Sequence, residues 1–433
     1  MSNPRGIELL PDIPICQTDL PLDWYQPEFK PYAEEYLALP DRLPQTVLPW
    51  MDRYIEPARA ELGPSLVLLA HYYMGGEIVK LVERYGGLIA DSYQLAREAV
   101  LHPEKRVFVE SAVHFMAEAI ALLAAPEQQV WITNPKSGCT MEMMAKEFMI
   151  APAFAKLEQR YGESLMVIAY MNTSGRVKAL AGRTGGAVCT SSNAGAIMRW
   201  AIAQNKKIFF VPDQHLGRNV ADEIGLPQEK TLLVPAGHEG ADLSEAEVQK
   251  LDGADLLLWG SFCGVHTIFK PSHVAWWRGR GYQIAVHPES PREVVSIADF
   301  HGSTSQLWKH VLDAPSGSRF AVATEGHFVN NLREQARLRG ILVVHLADVP
   351  GDASAGCGCA TMSRNDPPHL VALLDLLRKG KAPDLNRVLP GDVVDEVTGA
   401  RERLDVPGQR RVAADARRAL ERMIEITEAA RAR

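Results

Sequence analysis

The sequence predicts an α/β protein made of three analogous three-layer αβα domains built on parallel sheets. Three observations carry this. Short apolar runs of strand length alternate with helical patterns between residues 65 and 346. The alternation restarts twice, giving three rounds of roughly 80–100 residues, each of domain size. Each round closes on an apolar run that leads into a loop of small residues holding a cysteine: Cys139, Cys263 and Cys359. The expected divisions are an N-terminal extension over 1–62, domains over 63–145, 146–264 and 265–375, and a C-terminal tail and helix over 376–433.

The first 60 or so residues, rich in proline and with Trp24, Tyr25, Tyr32 and Tyr36, read as an irregular arm followed by a helix over 46–62, packed on the first domain. In the first round, 65–70, 107–110 and 130–133 have strand length, and 77–85 and 115–124 carry helical spacing. In the second round the strands are 165–170, 208–211, 231–234 and 256–259, with helices over 194–203 and 219–224. Ser244 and Glu247 have the spacing of a capping box, which opens a helix to about 251. The third round has strands at 283–286, 320–323 and 341–346 and helices at 291–297, 305–311 and 331–339. The segment 412–432 is a charged amphipathic helix with Leu420, Met423, Ile424 and Thr427 on one face, expected to dock on the outside.

Composition narrows the function classes. With 46% hydrophobic and 23% charged residues the chain is an ordinary globular protein. A net charge of −7 with no Lys/Arg block weighs against nucleic acid as a partner. No apolar run is long enough to cross a membrane, and the first residues lack the apolar stretch of a signal peptide, so a cytoplasmic location is expected. Six cysteines are too sparse for a disulfide scaffold and read as buried thiols or metal ligands.

Strand ends carry the candidate chemistry, because ligands of open α/β sheets bind at the carboxyl ends of strands. The first strand of each round ends in a polar pair: His71 and Tyr73, Tyr170 and Asn172, His287 and Glu289. Thr190-Ser191-Ser192-Asn193 and Gly302-Ser303-Thr304-Ser305 precede helices, where hydroxyls and open N–H groups suit a phosphate or carboxylate or serve simply as caps; Asp91-Ser92 is a similar turn. Thiolates at Cys139, Cys263 and Cys359 suit an iron–sulfur cluster, although long spacings fit buried structural thiols as well. Cys357 competes with Cys359 within one loop, Cys189 is a fourth candidate, and Cys16 reads as a plain thiol.

Taken together and in order, these strings resemble one family. Ala70-His71-Tyr72-Tyr73, Asp91-Ser92, Val113 to Glu118, Ser137-Gly138-Cys139, Tyr170 to Ser174 with Val177-Lys178-Ala179, Thr190 to Asn193, Pro212-Asp213 with His215 to Arg218, Cys263 with Val265-His266, His287-Pro288-Glu289, Gly302 to Ser305 and the third cysteine loop match the quinolinate synthases of de novo NAD biosynthesis. The resemblance spans about 65–375. It implies three αβα domains around a pseudo-threefold axis, with the active site at their junction. It implies a [4Fe–4S] cluster on Cys139, Cys263 and Cys359 whose fourth iron, open to substrate, acts as a Lewis acid. The implied reaction condenses iminoaspartate with dihydroxyacetone phosphate to quinolinate, phosphate and two waters. Glu289, helped by His287 and Tyr73, is assigned to acid–base catalysis; His71, Ser92, Tyr170, Asn172, Ser191, Ser303 and Thr304 are assigned to substrate. Transient channelling from the enzyme that makes iminoaspartate is the implied partnership, with neither nucleic acid nor membrane.

Departures from the family pattern fall in loops. The segment 181–188 is longer and holds Gly185-Gly186, residues 235–255 enlarge the stretch before Cys263, Gln214 stands where lysine is common, and the third cysteine loop lacks a following proline. Two other classes fit parts of the pattern. A cluster-bearing redox sensor has no use for His, Tyr and Glu at strand ends. A metal-independent phosphosugar lyase or aldolase of the Schiff-base kind needs a strand-end lysine, and the three strand ends carry none.

Overall fold

The computed structural model describes residues 19–74, 78–235, 242–351 and 358–432. Cys16 and Cys357 lie outside the described residues. The chain forms two compact units, Met1–Gly138 with Gly358–Arg403, and Cys139–Cys357 with Leu404–Arg433.

The first unit is built on a parallel sheet of β1 (Leu66–His71), β2 (Leu88–Ala90), β3 (Val107–Ser111) and β4 (Gln129–Ile132), in the order β2-β1-β3-β4. These strands are continuous apolar runs because helices cover both faces of a parallel sheet. Leu69, Phe108, Val130 and Ile132 pack with Leu95 and Ile120 of the helices Ser92–Leu101 and His114–Leu123. The aromatic N-terminal stretch is more ordered than its proline content suggests. Helices Lys30–Leu37 and Pro44–Leu62 pack on helix Pro367–Arg378. Phe29, Tyr32, Tyr36 and Trp50 are buried there, so the aromatics form an apolar stripe rather than an irregular arm. The phenol of Tyr32 hydrogen-bonds Asp375 at 2.5 Å and that of Tyr25 hydrogen-bonds Asp366, which also caps the helix at His369 N.

The second unit holds two more parallel sheets. One contains β5 (Leu165–Tyr170), β6 (Ala187–Cys189), β7 (Lys207–Val211), β8 (Thr231–Leu233) and β9 (Leu256–Leu258), in the order β6-β5-β7-β9-β8. The other contains β10 (Gln283–Val286), β11 (Phe300–His301), β12 (Arg319–Ala323) and β13 (Leu342–His345), in the order β11-β10-β12-β13. The three sheets thus share one winding, and β8 is an added edge strand in the second. The capping box of Ser244 and Glu247 is present and opens the helix Glu245–Lys250. The C-terminal helix runs Val406–Arg431, starting six residues before the amphipathic pattern because Asp405 caps Gly408 N at 2.8 Å. It packs on the helix Gly175–Arg183, where Gly182 leaves room for the Asp415 carbonyl; a Cβ there would stand 1.8 Å from that oxygen. Leu420, Met423 and Thr427 are buried as expected, while Ile424 is only half-buried.

This winding places a topological switch point beside the first strand of each sheet, at β1/β3, β5/β7 and β10/β12. Crevices for ligands open at the carboxyl ends of strands at such points.

Candidate functional site

Two of these switch points, both in the second unit, carry a connected polar group. Tyr170 is the last residue of β5, and Glu289 lies in the turn after β10. The Tyr170 hydroxyl donates to Glu289 Oε1 at 2.5 Å. His266, from the turn after Cys263, sets its Nδ1 2.8 Å from Glu289 Oε2. Its Nε2 meets the Thr324 hydroxyl, just past β12, at 3.0 Å. The His287 ring stacks on His266 with centroids 4.6 Å apart, and His287 Nδ1 accepts from Glu289 N at 3.4 Å. Glu289 and His266 are buried, so these bonds form in a medium of low polarity, where each is strong.

A second carboxylate, Asp213, follows β7 and is fully buried. Its Oδ1 caps Leu216 N at 2.7 Å, and the Ser261 hydroxyl donates to Pro212 O at 2.6 Å, tying this turn to the one before Cys263. The surroundings push the two acids apart. Burial raises the carboxyl of Asp213, and the charge of Glu289 raises it further, against the backbone N–H groups of Leu216, His215 and Cys263. Burial also penalises the charge of Glu289, but His266, His287 and the Tyr170 hydroxyl outweigh it and hold Glu289 below the usual carboxylate range. The two buried acids are thus driven in opposite directions, Glu289 down and Asp213 up. Divergent environments of this sort mark acid–base sites.

The Cys263 thiol completes a group with His266 and Glu289 whose ligand atoms all lie within 4.8 Å of one another. It is a possible metal-binding group. Its histidine and carboxylate already satisfy each other and Thr324 and Tyr170. Thiolates suit iron–sulfur clusters.

The other sequence candidates fall as follows. Cys139 immediately precedes the short helix Thr140–Met143 and is half-buried, with Asn172 Nδ2 4.0 Å from its sulfur. Cys359 is half-buried, with the Thr361 hydroxyl 3.2 Å from its sulfur. Cys139, Cys263 and Cys359 form no disulfide among the described residues. Cys189 is fully buried at the end of β6, and burial drives its thiol far above the usual range, away from the thiolate a metal needs. In the first unit, His71 ends β1 and accepts from Tyr73 N at 3.1 Å, with the two rings edge to face. Ser92 opens the helix after β2 and is half-buried. Ser191 is half-buried in the turn after β6. Ser303 and Thr304 open the helix Thr304–Leu312; Ser303 accepts from Gln306 N at 3.4 Å as its cap, which leaves its hydroxyl proton available to a ligand. His266, Asp213 and Thr324 were given no role from the sequence. Asp213 and His266 stand in strings that carry the family resemblance, whereas the signal of Thr324 is its position just beyond an apolar strand.

Parallel α/β sheets whose switch points hold a buried carboxylate–imidazole–phenol chain beside a half-buried thiol have the layout of an enzyme's active site. The family model described as quinolinate synthetase A protein matches residues 54–425. The chain is 37% identical over 368 residues to quinolinate synthase of Acidobacterium capsulatum, covering 84% of this chain and 92% of that one. It is 33% identical over 426 residues to quinolinate synthase of Corynebacterium glutamicum, covering 97% and 98%, and 35% identical over 357 residues to that of Streptomyces coelicolor, covering 82% and 87%. The chain belongs to the quinolinate synthetase A family. Among the described residues, no helix is long and apolar enough to cross a membrane.

Proposed function

We propose that this chain is a cytoplasmic quinolinate synthase that condenses iminoaspartate with dihydroxyacetone phosphate to quinolinate, phosphate and two waters, using a [4Fe–4S] cluster held by Cys139, Cys263 and Cys359. The observation that carries it is the Tyr170–Glu289–His266 chain lying beside the Cys263 thiol. Three half-buried cysteines suit the cluster chemically. Bound there, a cluster with one iron free of protein ligands supplies a Lewis acid for substrate oxygen.

The chain's own residues supply the rest. Condensation, isomerisation of the ketone and loss of water all need a group that takes and returns protons. Glu289 is ionised and oriented at both oxygens, by Tyr170 on one and His266 on the other, so it acts as base without first reorganising. Thr324 fixes the His266 ring from its far nitrogen. His287 and Tyr73 assist in proton transfer. Substrate phosphate suits the hydroxyls of Ser191, Ser303 and Thr304. Carboxylates suit the neutral donors of His71, Ser92 and Asn172, while the one hydroxyl proton of Tyr170 is committed to Glu289. Delivery of iminoaspartate by transient channelling from the enzyme that makes it belongs to the same proposal.

The test is to change each cysteine to serine and measure iron and sulfide per chain, with quinolinate formation, under anaerobic conditions. Serine at 139, 263 or 359 is expected to abolish cluster and activity, and Cys189→Ser to leave both intact. Near-normal iron and sulfide in Cys263→Ser overturns the proposal.

A further inference from the structure

The two cysteine loops of the first sheet and the third leave their strands in opposite halves of the sequence, yet the first unit contains one buried knot that holds the chain next to both. We infer that Asn365, acting with Ser137, is a positioning residue that fixes the backbone delivering Cys139 and Cys359 to the metal. This rests on the cluster reading above and assigns the knot to that same site.

Ser137 lies two residues before Cys139, and Thr361 two residues after Cys359. The Asn365 side chain joins the segments through both ends of its amide. Its Oδ1 accepts from the Thr133 hydroxyl at 2.6 Å, and its Nδ2 donates to Ser137 Oγ at 2.8 Å and to Ala112 O at 3.2 Å. Ser137 passes the direction on, donating its own proton to Thr361 O at 2.8 Å. The relay needs an acceptor and a donor on one short planar group, which an amide offers and a carboxylate or hydrocarbon does not. Asn365, Thr133, Ser137 and Thr361 are all buried, so each bond is costly to leave unmade.

Backbone contacts reinforce the relay. Asn134 Nδ2 donates to Arg364 O at 2.7 Å, and Arg364 Nη1 donates to Lys136 O and Glu396 O, both at 2.7 Å. Glu396 closes on Gly138 so tightly that a Cβ there would lie 2.0 Å from Glu396 Cγ. Ser363 gives its N–H and its hydroxyl to Cys359 O, both at 3.0 Å. Loops at strand ends are ordinarily the mobile part of such a fold. Here the bonds concentrate within a few residues of two thiols. A metal site needs its ligands held by such an outer layer.

The experiment compares Ser137→Ala, Asn365→Ala and the control Gln128→Ala in the full chain, loaded anaerobically with iron and sulfide. Gln128 is buried and donates to Ala99 O, His102 O and Lys105 O, at the opposite end of β4 from the knot. The readouts are iron per chain, loss of the cluster's visible absorbance to an added chelator, and the melting temperature of the metal-free form. The knot variants are expected to lose iron several-fold faster than wild type. A Ser137→Ala/Asn365→Ala double variant is expected to lose iron more slowly than the product of the two single effects, since the singles share the Asn365–Ser137 bond. Gln128→Ala is expected to lower the melting temperature and leave the rate of iron loss unchanged. Wild-type retention in Ser137→Ala and Asn365→Ala overturns the inference, and so does equal acceleration in Gln128→Ala. Wild-type iron content in Cys263→Ser refutes the cluster reading itself, which is a separate result.

Discussion

Glu289 and Glu110 are both fully buried glutamates near the carboxyl ends of parallel strands, in sheets of the same winding. Their surroundings differ completely. Glu289 meets a phenol and an imidazole and is held ionised. Glu110, the fourth residue of β3, has no hydrogen-bond partner for either carboxylate oxygen among the described residues. Burial alone pushes it up to about 8. Burial therefore does not make a carboxylate functional. Partners decide whether the buried acid is a charged base or a silent neutral group.

The sharpest way to break the comparison is to neutralise Glu289. Glu289→Gln keeps size and burial but removes the base, so turnover is expected to fall by about 10²–10⁴-fold with iron per chain unchanged. Wild-type turnover in a fully loaded Gln variant would make Glu289 as silent as Glu110. A smaller loss is expected from Tyr170→Phe, which deletes one hydrogen bond to a buried charge. A bond of that kind is worth about 1.5–3 kcal/mol, or roughly 10–100-fold in rate where it acts in the transition state. Steady-state kinetics at saturating substrate reads it, and an unchanged rate would show that His266 alone orients the base.

Glu110 is expected to affect stability and not turnover. Its folded pKa is raised to about 8 from an ordinary 4.5, so the folded state keeps a proton that the unfolded chain releases. Stability supplied by this group is full below about pH 4.5, declines as pH rises, and is gone above about 8; at pH 7 the deficit is on the order of 3 kcal/mol. Glu110→Gln removes the titration. Urea melts from pH 5 to 8.5 are expected to show a flatter slope than the parent, with the variant the more stable at pH 8.5 and turnover unaltered. A parent-like slope would mean that Glu110 is ionised in the folded chain.

Much of this was legible in the sequence because it is local. Apolar runs such as 165–170 and 256–259 read as strands since both faces of a parallel sheet are covered. The spacing of Ser244 and Glu247 announced a helix start. The polar residues at His71, Tyr170 and His287 stood out because a polar pair recurs at the end of the first strand of all three rounds. The N-terminal aromatics misled for the converse reason. Tyr25 and Tyr32 find their partners at Asp366 and Asp375, more than three hundred residues away, and no local pattern reveals that.

By itself the sequence determined the α/β alternation, the cysteine loops and the family resemblance, since each depends on residue type and on spacing along one stretch. Tertiary structure alone decided which buried acid carries charge. Tyr170 and Glu289 are 119 positions apart, and His266 and Thr324 are 58 apart. Whether a carboxyl group ionises depends on the few atoms within hydrogen-bond reach. Those atoms are brought there by the winding of the sheets and not by the neighbours of Glu289 in the chain.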